Sequence, residues 1–380
     1  MTQTHSRSWN FQNPVHVHFG AGTRAALAGN VAGKRVLAVT TKRGKEQFLN
    51  DDVLRGIDAE IEWVSSVTSN PGLAETQAEI DKLAGQEFDC VVAFGGGSAM
   101  DAAKALAAAL TPGLETRDLA TLIAQPGTHL NRRLLPIHAL ATTSGTGAEV
   151  TPFATIWDHA KYKKLSLASP RLFPATAIVD PELTHGLPHE ATMSTGFDAL
   201  NQALESVWNR NRTPVTTHLA SRAVALAFEA LPRLAADLDD HGARAGIAEA
   251  SLLAGMCISQ TRTAICHSMS YPITAHFGMP HGIACAFTMQ AVAHRVLAEA
   301  PEGLAEIAVL AGLGDAEGLV ARLDTVVGGV DLRALANRWL PNDPATLLDL
   351  RSEMITPNRS DNFVLPMDHD TIAGVLEASL

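Results

Sequence analysis

The chain changes grammar halfway along. In the first part, short apolar runs alternate with helical stretches. KRVLAVT (34–40), 60–64, FDCVVAF (88–94), 135–140 and 176–179 read as buried strands, with helices over 74–83 and 99–110. A parallel strand pair needs a crossover long enough to hold a helix, so this alternation predicts parallel βαβ units. From about His185 onward strand pattern is almost absent. Ala/Leu-rich stretches at 190–209, 214–238, 243–262, 281–298, 301–310, 316–326 and 332–338 predict an all-helical region. The expected boundary lies near residue 183, around the Asp180-Pro181 turn and Gly186-Leu187-Pro188.

A chain of 380 residues exceeds one typical core, which fits two domains. With 46% hydrophobic and 18% charged residues it is a packed globular protein. A formal charge of −11 argues against a nucleic-acid partner, although local basic clusters suit a small anion. The 4 cysteines form no CxxC pair, which fits buried thiols in a reducing compartment. MTQTHSRSWNFQNPV has no apolar core of signal-peptide length, and no long apolar run suggests a membrane span, so the expected location is the cytoplasm.

FGGGSAMD (94–101) follows a strong strand and opens a helix. Glycines let a backbone approach a pyrophosphate, and a helix N-terminus offers unpaired N–H groups with partial positive charge. Gly95, Gly96, Gly97 and Ser98 are the candidate contacts, with Ser98 read as the helix cap, Asp101 in capping-box position and Lys104 for phosphate or for structural pairing. A second strand-end turn, ATTSGTGAE (141–149), offers Thr142, Thr143, Ser144 and Thr146. Two such turns at neighbouring strand ends point to a dinucleotide groove. At the end of the first strand, Thr41, Lys42 and Arg43 stand where an acid would bind a ribose 2′-hydroxyl. Basic residues there accept a 2′-phosphate, so NADPH is expected over NADH.

The helical part carries a different signal. AICHSMSYPITAHFGMPHGIACA (264–286) packs His267, His276 and His281 into an apolar segment, and imidazole is the commonest ligand for a catalytic transition metal. Asp198 and Gln202, four residues apart on a helical pattern, share one helix face. Helices offering these groups toward one point would form an oxygen/nitrogen cage. Cys266 beside His267 raises a Cys/His zinc site, which the carboxylate and amide donors disfavour.

FGAG (19–22), GGGSAMDAAKA (95–105), TTSGTGAEVT (142–151), GFDALNQALES (196–206) and HSMSYPITAHFGMPHG (267–282) together resemble the iron-containing (group III) alcohol dehydrogenase family, in that family's order and across most of the chain. The resemblance implies an α/β N-terminal dinucleotide-binding domain with a parallel sheet over 1–183. It implies an all-α C-terminal domain over 184–380 that holds metal and substrate. The glycine turn would hold the pyrophosphate, and TTSGTG would line the nicotinamide side. One Asp and three His bind the metal in that family. Asp198, His267 and His281 match, and the remaining histidine position is Gln202 here. Where the family often has a proton-transferring histidine this chain has Tyr271, whose reference pKa of about 10 makes water or His276 the alternative proton route. Fe²⁺ is expected, with Zn²⁺ the alternative, and a homodimer is the family-based expectation.

ALESVWNRNRTP (203–214), HSMSYPITAHFGMPHG (267–282) and ITPNRSDNF (355–363) resemble the phosphonate-associated branch, whose members reduce phosphonoacetaldehyde to 2-hydroxyethylphosphonate. The implied substrate is a small anionic aldehyde. Arg210 and Arg212 are the first candidates for its anionic end, with Arg359, Lys163 and Lys164 behind them, and Asn201 and Ser270 as hydrogen-bonding partners. Other readings are a dehydrogenase for another short aldehyde, a lyase of the dehydroquinate synthase kind, and a non-catalytic homologue with an altered ligand set. His16, His18, His138, His185, His189 and His294 show no convergent pattern and read as structural.

Overall fold

The computed structural model describes residues 8–380; residues 1–7, part of the N-terminal stretch read above for a leader, lie outside the described residues. Six parallel strands form the main sheet: β1 (His16–Phe19), β2 (Lys34–Val39), β3 (Ala59–Val64), β4 (Cys90–Gly95), β5 (Ile137–Ala141) and, after a hairpin, β8 (Thr176–Val179). Their order is β1-β8-β5-β4-β2-β3. The chain leaves β2 toward β3 and returns to β4 on the other side. The carboxyl ends of β2 and β4 therefore flank a topological switch point, where open α/β sheets bind ligands. The sheet is covered by helices α1 (Ala26–Val31), α2 (Lys42–Asn50), α3 (Leu73–Leu83), α4 (Gly97–Leu110), α5 (Leu119–Ala124) and α6 (Pro126–His129). Strand β4 is buried at every position, as a central parallel strand covered on both faces must be.

Two strands not anticipated from sequence, β6 (Phe153–Asp158) and β7 (Lys163–Ala168), form an antiparallel hairpin apart from the main sheet. Charged side chains on KKLSLA mask its alternation, and the turn closes through Tyr162 in the left-handed region (φ 52°). Strand β1 also escaped the reading: four residues with two imidazoles at an edge carry too little pattern.

The helical part comprises α7 (His189–Val207), α8 (Pro214–Ala236), α9 (His241–Thr261), α10 (Ile265–Phe277), α11 (His281–Phe287), α12 (Met289–Glu299), α13 (Glu302–Leu310), α14 (Ala316–Val330), α15 (Leu332–Asn337), α16 (Pro344–Leu348) and α17 (His369–Ser379). The expected single helix over 281–298 is two, interrupted at Thr288. Helix α10, which holds Pro272 inside it, is not among the expected helices. The expected boundary at 183 falls in the short 3-10 turn Pro181–Thr184. Met193, Phe197, Leu200 and Leu204 of α7 centre the helical core. A helix enclosed on all sides buries its polar side chains too, and each of those needs a partner.

The two parts pack directly. Val150, Ala177 and Val179 meet Ala248 and Leu252 of α9. A Cβ on Gly147 would stand 2.3 Å from the Gly255 Cα, so the glycines let backbones touch there.

Candidate metal centre and nucleotide groove

Helix α7 presents Asp198, Gln202 and Glu205 at i, i+4 and i+7, on one face. They are 2%, 3% and 0% exposed. Among the described residues Glu205 has no Lys or Arg partner; it caps α10 instead. It accepts from the backbone N–H of Ala264 (2.7 Å), Cys266 (2.6 Å) and His267 (3.2 Å) and meets His267 Nδ1 at 2.7 Å. A carboxylate at the helix N-terminus satisfies orphan N–H groups and complements the dipole. It also fixes the imidazole with Nδ1 as donor, which leaves Nε2 as a lone-pair donor pointing at Asp198 Oδ1, 3.4 Å away.

His281 opens α11, and Gly282 lets that helix press against α7. A Cβ at 282 would lie 1.9 Å from Ser194 O and 3.0 Å from Asp198 Cβ. One turn later, Cys285 returns to the same face, its Sγ 3.7 Å from His281 Nε2. One ligand atom each from Asp198, His267, His281 and Cys285 all lie within 4.8 Å of one another. Around a tetrahedral Zn²⁺-sized ion, two N/O ligands stand about 3.4 Å apart, and N and S ligands about 3.6 Å. The spacings match that cage. Two further atoms support it: the buried Asp198 Oδ1 and Gln202 Oε1 have no hydrogen-bond partner among the described residues. Unsatisfied acceptors converging on imidazoles and a thiol are what a cation would satisfy. The family's implied metal therefore fits this donor set.

Electrostatics agree. Burial favours the neutral Asp198, but His267, His281 and Gln202 outweigh it and hold the carboxyl below its ordinary range. Burial likewise raises the Cys285 thiol, and the two imidazoles outweigh it, bringing it down to about 7. A thiolate is the ligand form. Sequence reading missed both Glu205 and Cys285. The signals were there: Glu205 continues the 198/202 helix face, and Cys285 is four residues after His281. Cys266, the thiol weighed from sequence, is fully buried and lies outside the ligand group.

The nucleotide side is built from backbone. Thr142 N–H donates to Gly95 O, locking the two turns together. A Cβ on Gly96 would lie 2.8 Å from Thr143 Oγ1, and one on Gly97 would lie 2.6 Å from Thr146 Cγ2. Ser144 is buried beside them. Ser98 is not the cap of α4: the N-cap is Gly96, with no side-chain hydrogen bond, and Ser98 Oγ accepts from Asn70 N–H instead. Asp101 consequently takes no part in a capping box. Burial, opposed by Lys104, the Thr155 amide, Lys164 and His281, raises its carboxyl to about 6. A Cβ on Gly145 would lie 2.7 Å from Thr195 Cβ, which sets the second turn against α7 just before Asp198. Lys104 is structural, donating to Ala148 O, Thr151 Oγ1 and Phe153 O. Thr41 caps α2 by accepting from Gly44 N–H, Lys42 is exposed, and Arg43 donates to Gly186 O.

Several expected substrate contacts sit elsewhere. Asn201 is fully buried and donates to Cys285 O, tying α7 to α11. Ser270 is also fully buried, and its hydroxyl donates to His267 O within α10. Arg212 is paired with Glu306 at 3.0 Å, and Arg210 Nε donates to Phe363 O at 2.7 Å. These contacts tie the end of α7 to neighbouring segments. His276 is nine residues past His267, half a turn out of phase; it meets Glu353 at 3.1 Å and stacks on Tyr162. It is therefore no relay to the ligands.

Tyr271 does lie at the cluster. Its ring stacks on His281 with centroids 6.2 Å apart. Lys164 Nζ sits 3.9 Å from the Tyr271 ring centroid, and Arg359 Nε donates to its hydroxyl at 3.3 Å. Burial raises this phenol, but Lys164 and Arg359, with His267 and His281, outweigh it and bring it down to about 7. The expectation that a tyrosine holds its proton too tightly here gives way to that crowd of cations. Lys163, the next residue on the strand, points to the other face and is exposed.

The family description "iron-containing alcohol dehydrogenase" matches residues 14–181, and "Fe-containing alcohol dehydrogenase family, C-terminal" matches 192–331. A phosphonoacetaldehyde reductase of Streptomyces viridochromogenes is 37% identical over 63% of this chain and 60% of its own length. The chain thus spans less than two thirds of that relative. The NAD-dependent methanol dehydrogenase of Bacillus methanolicus is 32% identical over 77% of this chain and 75% of its own. Among solved structures, the sulfoacetaldehyde reductase from Bifidobacterium kashiwanohense in complex with NAD+ superposes with a TM-score of 0.83 at 29% identity, covering 98% of this chain and 99% of the other. A parallel sheet with a glycine turn at its switch point, packed on a helical part that gathers one carboxylate and two imidazoles, agrees with both matched segments: this chain belongs to the iron-containing alcohol dehydrogenase family.

Proposed function

We propose that this chain carries out metal-dependent, NADPH-linked reduction of a short aldehyde to a primary alcohol, with phosphonoacetaldehyde as substrate and 2-hydroxyethylphosphonate as product. The carrying observation is the convergence of Asp198, His267, His281 and Cys285, with oxygens on Asp198 and Gln202 unsatisfied among the described residues, on a helix against which the Gly145 turn is packed. The chemistry a bound Fe²⁺, or alternatively Zn²⁺, supplies there is Lewis acidity toward a carbonyl, alongside the hydride of the nicotinamide. Asp198, His267, His281 and Cys285 would hold that ion, with the Gln202 amide oxygen as neighbour.

The protein's own groups do the rest. The N–H groups at the start of α4 bind the cofactor pyrophosphate, and Thr143 and Thr146 shape the groove against Gly96 and Gly97. Lys42 and Arg43, at the N-terminus of α2, take the 2′-phosphate. Tyr271, stacked on His281 and lowered toward neutral pH, returns a proton to the product oxygen. The likeness to a phosphonoacetaldehyde reductase supports the substrate, and that to a sulfoacetaldehyde reductase supports an acidic group on it.

The test is metal-stripped protein reloaded with Fe²⁺ or Zn²⁺ and assayed by cofactor oxidation. Phosphonoacetaldehyde should be reduced only after reloading, with a higher kcat/KM for NADPH than for NADH. Equal or better use of NADH would remove the 2′-phosphate reading alone. No turnover of any aldehyde by reloaded protein would remove the reductase.

A further inference from the structure

Two cations from separate elements meet at Tyr271, and a third lies near one of them. Lys164 comes from β7 and lies over the Tyr271 ring. Arg359 comes from the segment before the turn Ser360–Asn362 and reaches the Tyr271 hydroxyl. Arg262 follows α9, and its guanidinium lies 4.4 Å from the Phe153 ring centroid at the base of the β6–β7 hairpin. Burial first, then the charge of Arg359, pulls the Arg262 guanidinium down to about 10, so the two arginines feel one another. None of the three has an ion pair among the described residues. Neither Lys164 nor the Arg262 side chain has a hydrogen-bond acceptor among them.

Arg262 also holds a backbone that side chains avoid, φ 62° and ψ 177°. This is a region essentially confined to glycine, and such strain persists where surrounding structure imposes it, often at functional sites. Thr261 Oγ1 and Asn209 Nδ2 both donate to Arg262 O and hold it there.

Gathering like charges in a half-buried cleft is unfavourable unless an anion joins them. A group that closes the cluster must be negative, small enough to share two guanidinium forks and an ammonium, and within one aromatic ring of His281. We infer that Lys164, Arg262 and Arg359 form the subsite for the anionic end of the substrate, which makes the substrate class short aldehydes bearing a phosphonate or sulfonate beside the carbonyl carbon chain. This deepens the reductase reading and rests on it for the position of the carbonyl. It replaces Arg210 and Arg212 in that role. Planar guanidinium forks suit tetrahedral oxyanions, and Lys164 adds a point charge. The two arginines flank the cleft from the helical part, and the hairpin lysine closes it from the sheet part. Substrate binding thus draws on both parts of the molecule.

The test uses the full-length, metal-loaded enzyme with NADPH and three aldehydes: phosphonoacetaldehyde, sulfoacetaldehyde and propionaldehyde. In Lys164→Gln, Arg262→Gln and Arg359→Gln, the ratio of kcat/KM for either anionic aldehyde to that for propionaldehyde should fall about tenfold or more, mainly through KM. Arg359→Lys should recover part of it, and Arg212→Gln should keep the wild-type ratio. Calorimetric titration of phosphonoacetate, which cannot be reduced in this assay, should show binding to wild type and a Kd weakened about tenfold in each Gln variant. An unchanged ratio, or a rise confined to KM for NADPH, overturns the subsite. The two readings fail separately. Phosphonoacetate binding that depends on the three cations, in a protein that reduces no aldehyde, would keep the subsite and remove the reductase. Reduction of neutral aldehydes with silent phosphonoacetate titrations would do the reverse.

Discussion

The nucleotide groove and the metal centre stand beside each other yet are built by opposite means. The groove is backbone: glycines at 95–97 pressed against Thr143 and Thr146, with helix N–H groups facing outward. Its residues are consecutive in the chain, and its specificity is one of close approach. The centre is side chains: a carboxylate and an amide from α7, an imidazole from α10, and an imidazole and a thiol from α11, with Glu205 behind them. A backbone site tolerates changes in charge and fails when a Cβ is added. A side-chain site tolerates little of either, because each donor is buried and leaves an unpaired partner when removed.

That contrast is sharpest at Asp198. Asp198→Ala should abolish measurable activity and cut metal affinity by more than the roughly 10–100-fold typical of an outer partner, while NADPH binding, followed by cofactor fluorescence, stays near wild type. Loss of cofactor binding as well would mean the two sites are one cooperative unit. Glu205→Gln tests the layer behind: metal affinity should fall about 10–100-fold, since His267 loses the acceptor that fixes its tautomer. Retained affinity would make Glu205 only a helix cap.

Cys285 gives a spectroscopic reading of the same boundary. With Co²⁺ in place of the native ion, the wild type should show a near-ultraviolet thiolate-to-metal band, and Cys285→Ser should lose it. No such band in wild type would leave the thiol outside the ligand set. The complementary change on the groove side is Gly97→Val. Its Cβ would lie 2.6 Å from Thr146 Cγ2, so KM for NADPH should rise about tenfold while the cobalt spectrum is untouched.

How much of this is legible in the chain follows the same division. The groove could be read because β4, the glycines and α4 are contiguous, and hydrophobic periodicity places each. Asp198, Gln202 and His267 were found as residues, and their helix face could be computed. The third partner on that face, Glu205, is not among the sequence candidates. Cys285 lies four residues after His281 on one helix face, a signal that either helix boundary preserves and that the count of unpaired cysteines did not use. The anion subsite was legible only in part: Arg359 and Lys164 stood behind Arg210 and Arg212 as candidates, and Arg262 was not among them. Lys164, Arg262 and Arg359 are far apart in sequence, and one of them rides on a hairpin that was not predicted. Arg210 and Arg212, close in sequence to Asp198, were favoured because proximity along the chain is what a sequence shows. Past Val207, though, the chain has left the helix, and those side chains turn to Phe363 and Glu306.

The smallest expected effect on catalysis comes from the one place where the sheet part imitates the helical part. His138 lies on β5, buried between β4 and β8, and neither ring nitrogen has a partner among the described residues. Burial, helped by the charge of Lys34, pushes its pKa down to about 4. The unfolded chain takes up this proton near 6.5 and the folded chain only near 4, so stability is fully present above pH 6.5 and is lost as pH falls toward 4. Between pH 7 and pH 5 that loss is about 2 kcal/mol. His138→Leu, of similar bulk and unable to protonate, should remove this share of the acid dependence, read as the difference between urea-unfolding free energies at the two pH values. Turnover at neutral pH should be unaffected, because this imidazole, unlike His267 and His281, converges with no other donor. An acid dependence identical in the variant would mean that the ring is satisfied in the folded protein by a bound water, and that the sheet too keeps its ionisable groups partnered.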